Sequence, residues 1–317
     1  MQVDHKKHPT PEISVSIIIT TYNTAALVEQ AVASIEQTTE VSYEIIVIDN
    51  ASLDDTEDRM SQFPSVRYIR LDRNHGFARA NNLGALLARG KYLLLVNSDV
   101  ILRTRGIDEL INFAERHPKS RIWGARTLYP DLNLNPTYCW RRMTLWSVVL
   151  RTFGVSAVFR SIPFFNPETC NDPCRNEPFS VDIVTGCFLL IESRFWHDLR
   201  GFDPEFFFFG EDADLCLRAI AKGARPVIAP IDAAIHLGGA SESQASKRTI
   251  NMLAARIGLA RRHFVPFQGR LVVALTRFGP LLRLAAQEIR AAKTGSSANL
   301  ESARAVWRAK SYWWEGF

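Results

Sequence analysis

The sequence has no long hydrophobic run. Nowhere do about 18 consecutive apolar residues occur without a charge, so we expect no membrane-spanning helix. The first nine residues are polar and lack the apolar core of a signal peptide. Cysteine is scarce as well, and five cysteines in 317 residues argue against a disulfide scaffold. These absences predict a cytoplasmic protein.

Two common nucleotide-binding signatures are also missing. There is no Gly-x-x-x-x-Gly-Lys-Ser/Thr loop and no Gly-x-Gly-x-x-Gly after the first predicted strand, so P-loop and standard dinucleotide folds are excluded. The net charge of +5 comes from residues 251–317, where eleven Lys and Arg side chains outnumber three Glu. Because the rest of the chain is net acidic and the basic tail has no reader motif, we expect no nucleic-acid partner.

The sequence does contain several short, unalternating apolar runs. Such runs are typical of strands that are buried on both faces of a parallel sheet. Strands are predicted at 13–20, 44–48, 66–71 and 92–96, with helices at 25–37, after Asp54, and at 77–89, the last closed by Gly90. Three β-α-β steps in this order predict an α/β fold with a doubly wound, mostly parallel sheet.

The second half of the chain is less regular. A helix is predicted at 107–116, but 129–179 has no steady periodicity and is interpreted as an insertion or flexible flap over the sheet edge. Its Cys170 and Cys174 are expected to be loop cysteines rather than zinc ligands. The remaining predicted elements are a strand at 181–191, a helix at 211–222, short strands at 225–229 and 233–236, and a helical tail from 246.

Carboxylates and a histidine follow the predicted strands. Asp49 and Asp99 come after two parallel strands, so both are expected on one rim of the sheet, where ligands bind in open α/β folds. His236 follows the last strand. An aspartate and a histidine suit a divalent cation whose open positions are filled by substrate phosphate oxygens.

An acidic cluster at Glu211, Asp212 and Asp214 follows four phenylalanines at 206–209. Acidic residues at a helix N-terminus are commonly stabilised by the helix dipole alone. An aromatic wall would instead desolvate a carboxylate and raise its pKa, which suits a general base. The residues by themselves leave both interpretations open.

Six motifs now occur in a fixed order. They are Thr21-Tyr22-Asn23, Asp49-Asn50-Ala51-Ser52-x-Asp54, Asn74-x-Gly76-Phe77-Ala78-x-Ala80-x-Asn82, Asn97-Ser98-Asp99, Thr185-Gly186, and Glu211-Asp212-x-Asp214-Leu215-Cys216-x-Arg218. Together they resemble family 2 of the glycosyltransferases, in particular its bacterial rhamnosyltransferase-like branch, over about residues 13–240. The resemblance implies an inverting enzyme of the GT-A fold that uses a nucleotide-diphosphate sugar with Mg²⁺ or Mn²⁺.

The resemblance also assigns roles to the donor side of the site. Asp99 matches the last carboxylate of the family's Asp-x-Asp motif and, with His236, would bind the metal. The first Asp of that motif is Asn97 here, which removes one negative charge from the site. The residues expected to contact the nucleotide sugar are Thr21, Asn23, Asp49, Asn74, Asn82, Asn97 and Ser98.

The same resemblance assigns the acceptor side and the domain organisation. Asp212 would be the general base, with Glu211 as its rival, and Thr185, Gly186, Asp214 and Arg218 would support the acceptor site. Residues 1–245 would form the GT-A domain, with a nucleotide-sugar half at 13–100 and an acceptor half at 101–245. Residues 246–317 would form a C-terminal helical appendage.

The expected function is transfer of a sugar to a hydroxyl of a glycan or lipid-linked acceptor in cell-surface polysaccharide synthesis. The branch indicates dTDP-rhamnose as donor, with a UDP-sugar as the other candidate. One alternative is a nucleotidylyltransferase, but Thr20–Asn23 has neither Gly nor a basic residue where those enzymes carry a Gly-rich basic loop. Another is an inactive binding module, which would be expected to lose Asp99, Asp212 and His236.

The basic tail allows two interpretations. Arg270, Arg277, Arg283 and Arg290 recur near one helical face, with Gly279-Pro280 as a predicted break or kink. The helices would either pack on the catalytic domain with these arginines facing water, or lie on an anionic leaflet. The second interpretation predicts peripheral contact with the inner face of the membrane.

Overall fold

A large sheet and the helices packed on it carry most of the candidate site residues, and a second sheet pairs β7 with β9. The structure is a computed structural model that describes residues 13–170, 176–238, 245–294 and 298–317. The strands are β1 Val15–Thr21, β2 Tyr43–Asp49, β3 Val66–Arg70, β4 Tyr92–Asn97, β5 Val100–Leu102, β6 Ile122–Leu128, β7 Cys139–Trp140, β8 Phe179–Ser180, β9 Ile183–Val184, β10 Phe188–Glu192 and β11 Val227–His236. The helices are α1 Ala25–Thr38, α2 Thr56–Met60, α3 Phe77–Leu87, α4 Gly106–Arg116, α5 Leu145–Thr152, α6 Val155–Val158, α7 Ser193–Asp198, α8 Glu211–Ala221, α9 Ala245–His263, α10 Pro266–Thr294, α11 Ala298–Arg308 and α12 Lys310–Trp313.

The main sheet has the order β3-β2-β1-β4-β10-β6-β11-β5, with β8 also paired to β11. Strands β3, β2, β1 and β4 run parallel, and so do β6 and β11. Strand β10 lies antiparallel between β4 and β6. The predicted α/β fold with a mostly parallel sheet is therefore confirmed, and β10 joins its two parallel parts.

Alternate residues of the central strands face two separate cores. Ile17 and Leu94 pack with α1 and α4 on one face of the sheet. Ile18 and Leu93 pack with α3, α7 and α8 on the other. All four are fully buried, and burying a side chain of this size stabilises the fold by about 1.5–3 kcal/mol. Helices on both faces are why these strands are apolar without alternation.

The four predicted strands of the first half are confirmed, with ends shifted by one or two residues. Gly90 does not close α3, because that helix ends at Leu87 and the next residue, Ala88, is already extended. Gly90 is required for another reason. A Cβ at this position would lie 2.5 Å from the backbone nitrogen of Ser16 on β1.

Three predictions for the second half are wrong. The single strand predicted at 181–191 is two strands, β9 and β10, separated by the segment Thr185-Gly186-Cys187. The two short strands predicted at 225–229 and 233–236 are one strand, β11, with shifts in its pairing register near Asp232. Strands β5 and β6 and helix α7 were not predicted at all.

The segment 129–179 carries regular structure instead of an unpatterned flap. Its helix α5 begins with a capping box, in which Thr144 and Ser147 satisfy each other's backbone N–H groups. Trp146 and Phe164 pack with ring centroids 5.3 Å apart, and the Trp146 indole donates to the Phe164 carbonyl. Cys170 is a buried free thiol, and Cys174 lies outside the described residues.

The C-terminal helices pack on one another and on α5. Their core includes Val148, Ile257, Val272 and Trp313. Helix α10 runs through Gly279 and Pro280, so the predicted break is wrong. Within the described part of the chain, no helix is both long enough and apolar enough to cross a membrane.

Candidate active site

Antiparallel pairing of β5 with β11 brings Asp99 and His236 together. Asp99 lies between β4 and β5, and His236 ends β11 opposite Val100. The amide of Leu237 donates to the Asp99 carbonyl at 3.0 Å. As a result, the His236 Nε2 lies 3.3 Å from the Asp99 Oδ1, and both side chains are largely buried.

The Asp99 and His236 side chains suit a divalent cation. Asp99 Oδ1 is buried and has no aligned hydrogen bond, although the imidazole nitrogen is within ion-pairing distance. Burial lowers the pKa of His236, but hydrogen bonds from its ring to Asp99 and Cys187 outweigh it and raise that pKa to about 10. The described residues contain no cluster of three or more His, Cys, Asp or Glu that could hold a metal. The protein therefore offers one oxygen and one nitrogen, and further ligands would come from substrate or water.

The segment Thr185-Gly186-Cys187 links this pair to Asp212. The amide of Asn97, at the end of β4, donates to the Cys187 carbonyl at 3.1 Å. The amide of Gly186 donates to the Asp212 Oδ2 at 3.0 Å. A Cβ at Gly186 would lie 3.2 Å from the Phe77 ring, so glycine lets the backbone approach both α3 and α8. Thr185 supports the segment by donating its hydroxyl to the Tyr138 carbonyl.

Glu211 and Asp212 begin α8 with different environments. Glu211 is buried and its Oε2 has no hydrogen-bond partner. Burial, followed by the neighbouring Asp212 charge, raises the pKa of Glu211 well above its ordinary value. Burial also raises the pKa of Asp212, but N–H groups of Gly186 and Ala213 offset part of that effect. Of the two carboxyl groups, Asp212 is therefore the one that ionises more easily.

Asp214 and Arg218 hold helix α8 in place. The Arg218 Nε donates to Asp214 Oδ2 at 2.7 Å, and its two terminal nitrogens donate to the carbonyls of Leu199 and Gly201. The other Asp214 oxygen lies 2.8 Å from the His263 Nε2, on α9. Burial opposes the charged form of Asp214, but His263 and Arg218 outweigh it and lower the pKa. Asp214 is thus an anchor for α8.

The aromatic run before α8 bends sharply. Phe209 and Gly210 both have positive φ, at 70° and 91°. A positive φ costs a bulky residue about 1 kcal/mol or more, so packing must hold Phe209 in this conformation. The Phe208 ring packs on Phe209 at 4.4 Å and edge-on to Phe77 at 6.3 Å. The aromatic run thus reaches Phe77, whose ring lies next to Gly186, and desolvation of a carboxylate by the four phenylalanines stays a prediction.

The residues expected on the donor side share one rim of the sheet. Thr21 pairs in register with Asp49, and Thr20 pairs with Asn97. The hydroxyls of Thr21, Thr24 and Ser98 form a buried chain, with successive distances of 2.8 and 3.0 Å. Asn97 is half-buried at the end of β4.

Asp49 is fully buried and both of its oxygens are occupied. Oδ1 accepts from the Ser52 amide and hydroxyl, and Oδ2 accepts from the Tyr68 hydroxyl at 2.7 Å. Burial and the Asp49 charge raise the pKa of Tyr68, which therefore stays a donor. A nucleoside contact by Asp49 remains a prediction and would need a rearrangement of these bonds.

Three predicted donor residues hold loops in this structure. Asn23 accepts from the Leu53 amide, and Asn74 accepts from the Gly76 amide. Asn82 exchanges two hydrogen bonds with the backbone of Phe202, at 2.8 and 2.9 Å, so its amide is engaged in the acceptor half. Donor binding by these residues is likewise still a prediction.

Three residues near the site were not singled out from the sequence. His263 contacts Asp214, Cys187 contacts the His236 ring, and the Asn135 amide lies 3.4 Å from the His236 Nδ1. His263 and Asn135 come from segments interpreted as tail and insertion, where no local pattern pointed to the site. Cys187 directly follows Thr185-Gly186, and that position was the one available signal.

The site combines a cation-binding pair, a rim of polar groups and a carboxylate that can accept a proton. Residues 16–170 match the family described as Glycosyl transferase family 2. The chain is 27% identical over 266 residues to the N-acetylglucosaminyl-diphospho-decaprenol L-rhamnosyltransferase of Mycobacterium tuberculosis, covering 78% of this chain and 84% of that protein. It is 35% identical over 168 residues to the UDP-Glc:alpha-D-GlcNAc-diphosphoundecaprenol beta-1,3-glucosyltransferase of Escherichia coli, covering 49% and 66%.

Solved structures show the same fold. A mannosyltransferase from Pyrobaculum calidifontis in complex with GDP-Man and Mn²⁺ has a TM-score of 0.55 at 17% identity, over 96% of this chain and 76% of that one. The structure of TarS residues 1–349 from S. aureus has a TM-score of 0.53 at 15% identity, over 94% and 91%. At this identity the likeness concerns the fold alone, and it confirms the predicted GT-A type.

Proposed function

Because this chain is a glycosyltransferase whose residues 16–170 belong to glycosyl transferase family 2, we propose that it transfers a sugar with inversion from a nucleotide-diphosphate sugar to an acceptor hydroxyl. The observation that supports this most directly is the hydrogen bond from the Gly186 amide to the Asp212 carboxylate. The next residue, Cys187, accepts a hydrogen bond at its carbonyl from the Asn97 amide, and Asn97 is two residues before Asp99. Two hydrogen bonds, one between backbone groups and one to the Asp212 side chain, therefore join the proposed donor and base positions.

In this proposal Asp212 is the general base. Each of its oxygens accepts one N–H and keeps lone-pair capacity for the acceptor hydroxyl. The acceptor oxygen bonds to the anomeric carbon, the bond to the diphosphate breaks, and the hydroxyl proton moves to the Asp212 carboxylate. Glu211 is the weaker candidate because burial and the neighbouring Asp212 charge raise its pKa well above the ordinary value, which disfavours its ionised form.

Asp99 and His236 would hold Mg²⁺ or Mn²⁺. The buried Asp99 Oδ1, which has no aligned hydrogen bond and lies 3.3 Å from the His236 Nε2, supports this assignment, as does the Mn²⁺ bound in the mannosyltransferase with the same fold. When bound, the cation would neutralise charge on the leaving diphosphate. Cation binding would require His236 to lose the proton that its raised pKa retains.

The donor and acceptor classes are inferred from the relatives. The mycobacterial relative is named as a rhamnosyltransferase acting on a diphospho-decaprenol-linked sugar, and the E. coli relative uses UDP-Glc with a diphosphoundecaprenol-linked one. We infer dTDP-rhamnose or a UDP-sugar as the donor of this protein. Its acceptor would be a sugar linked through a diphosphate to a polyprenol, in cell-surface polysaccharide synthesis.

The base assignment is tested with Asp212→Asn and Glu211→Gln. Asp212→Asn should lower kcat by a factor of about 10² or more, with nucleotide affinity nearly unchanged, because the base acts only on the acceptor. Glu211→Gln should retain most of the activity. If Glu211→Gln is the inactive variant and Asp212→Asn the active one, the two roles must be exchanged.

A lipid-linked acceptor also calls for access to a membrane surface. Six large apolar side chains of the segment 146–164 are exposed: Trp146, Phe153, Val158, Phe159, Ile162 and Phe164. Thr152 of this segment donates its hydroxyl to the Leu275 carbonyl of α10. The same helix exposes Arg270, Arg283 and Arg290. Apolar side chains beside arginines complement an anionic leaflet, so we propose that this surface lies on the membrane.

Co-sedimentation of the full chain with vesicles tests this contact. Phosphatidylglycerol vesicles should bind the protein more than phosphatidylcholine vesicles do, and Val158→Asp/Phe164→Asp should weaken binding at least tenfold. Val158 and Phe164 are 75% and 64% exposed, and the matched control Leu86→Asp alters a 73% exposed residue of α3. Binding that is unaffected by the double substitution, or a dimer by light scattering that the substitution abolishes, would contradict the proposal.

A further inference from the structure

A cavity lies between α5, α9, α10 and α11, and none of the candidate active-site residues lines it. Its volume is about 380 Å³. Three arginines from three different helices line it: Arg151 of α5, Arg256 of α9 and Arg283 of α10. The remaining polar lining is uncharged and includes Thr249 and Ser302. Among the residues that the structure describes, no carboxylate is part of the lining.

The cavity has more positive than negative charge around it. Glu168 accepts two hydrogen bonds from Arg256, at 2.7 and 2.8 Å, and lies 3.2 Å from Arg151. In the described part of the chain, no carboxylate pairs with Arg283. Glu168 thus pairs with two of the three arginines that line the cavity, Arg151 and Arg256. The charge of Arg256 lowers the pKa of Arg151, as expected where like charges are held close together.

Of the three arginines, Arg256 is the one held in a fixed position. Arg256 is only 13% exposed and is oriented by its paired bonds to Glu168, whose own side chain also accepts from Ser147. Planar guanidinium groups bind phosphate oxygens in pairs, so a cavity lined by three of them suits a phosphorylated ligand better than a sugar hydroxyl.

Helix α9 lines this cavity and also contacts the residue that precedes α8. Ala255 precedes Arg256, and its Cβ lies 2.9 Å from the position that a Cβ of Gly210 would occupy. Gly210 is the residue before α8, so one contact and three peptide steps join Arg256 to Asp212. Their Cα atoms are therefore within about 17 Å of each other. A sugar diphosphate, together with the two side chains, can cover that distance.

We propose that this cavity binds the diphosphate group of the acceptor and so places the acceptor sugar at Asp212. The inference rests on the proposed function, since it requires a diphosphate-linked acceptor. Arg151 and Arg283 would be binding residues for the diphosphate, with no part in the transfer itself. Glu168 would position Arg256 and limit the excess of positive charge.

The kinetic test compares two acceptors that differ only in the phosphates. One is N-acetylglucosamine linked through a diphosphate to a short alkyl chain, and the other is the same sugar linked directly to that chain. Arg283→Gln and Arg151→Gln should each raise the KM for the first acceptor at least tenfold, with kcat within twofold. The KM for the second acceptor and for the donor should not change. Arg248→Gln, at an exposed position of α9 outside the cavity lining, is the matched control.

A binding test keeps the site separate from the reaction. Calorimetric titration of the full chain with inorganic diphosphate in EDTA should give a Kd that Arg151→Gln/Arg283→Gln weakens at least tenfold, while Asp99→Ala leaves it unchanged. If this holds but neither acceptor is glycosylated, the site stands and the proposed function fails. If the diphosphate acceptor is used with unchanged KM by Arg283→Gln, or if Kd is unchanged in the double variant, the site is wrong.

Discussion

Asp99 is deeply buried, and its Oδ1 has no aligned hydrogen bond but lies at ion-pairing distance from the His236 Nε2. The proposed cation site consists of this oxygen and that nitrogen. Asp99→Ala should therefore abolish transfer and remove the divalent-metal dependence of donor binding, while the protein stays folded. Donor titrations with and without Mn²⁺, with thermal unfolding as a check, measure this.

The control for Asp99→Ala is a variant that removes an exposed carboxylate. Asp58→Ala removes an exposed carboxylate of α2 and should change neither activity nor metal dependence. Wild-type activity that survives thorough chelation would count decisively against a metal at Asp99 and His236.

The pH profile of the enzyme should report the environment of Asp212. Because burial raises the pKa of this carboxyl group, the acidic limb of kcat/KM should lie above the ordinary aspartate range. Activity should be lost as pH falls through that limb, since the protonated base cannot accept a proton. Glu211→Gln should leave the limb in place, because burial rather than Glu211 raises the Asp212 pKa. A limb that moves in this variant would assign the base to Glu211 or to the pair.

At the scale of elements, the loop before α3 is joined to the aromatic run before α8. The Phe77 amide donates to the Phe207 carbonyl at 2.9 Å, and Gly76 has φ +83°. A Cβ at Gly76 would lie 2.4 Å from that carbonyl oxygen, so Gly76→Ala should destabilise the protein by several kcal/mol. Denaturant unfolding measures the loss.

Gly223→Ala is the matched control for that substitution. Gly223 has nearly the same φ, +88°, but a Cβ there would meet nothing within 4 Å. This variant should lose only about 1 kcal/mol, the cost of positive φ for alanine. Equal losses in the two variants would show that contact with Phe207 is unimportant.

Whether a strand could be predicted depended on how apolar and uninterrupted its sequence is. Strands β1, β2 and β4 are continuous apolar runs, and their ends supplied the positions of Asp49 and Asp99. Strand β6 was missed because it contains Arg126 and Thr127, which are buried but polar. Strand β11 was divided in two because Pro230 and Asp232 interrupt it.

The motifs identified candidate site residues, but they did not indicate which of these residues contact one another. The order of motifs indicated Asp99, Asp212 and His236, each near the end of an element. No local pattern indicates that β10 lies antiparallel beside β4, and this pairing brings Gly186 to the rim. The contact of His263 with Asp214 joins residues 49 positions apart, so it depends on how α9 packs.

At the scale of the whole molecule, Glu168 ties α5 and α9 together. Burial disfavours its charge, but Arg256 and Arg151 outweigh that effect and lower its pKa from 4.5 to about 2. A carboxyl group with a lowered pKa stabilises the fold above its ordinary value, and the contribution disappears as pH falls from about 4.5 towards 2. The free energy of unfolding should therefore decrease across this interval.

Glu168→Gln should remove that acid dependence and destabilise the protein at neutral pH. The loss should be about 3–5 kcal/mol, because the buried Arg256 charge is left without its partner. Denaturant titrations at pH 7 and pH 3 compare the variant with wild type. Glu177→Gln, which removes an exposed carboxylate, serves as control. Parallel loss of stability in wild type and Glu168→Gln between these pH values would place the acid-sensitive group elsewhere.

The turn at 199–203 forms hydrogen bonds with residues from both predicted halves, 13–100 and 101–245. Asn82 binds the backbone of Phe202 from the donor half, and Arg218 binds the carbonyls of Leu199 and Gly201 from the acceptor half. These hydrogen bonds restrain relative movement of the two predicted halves. We therefore expect adjustment to the acceptor in shorter segments such as 204–210, and we expect exchange of bound sugars to be governed by loop motion, which is faster than domain motion.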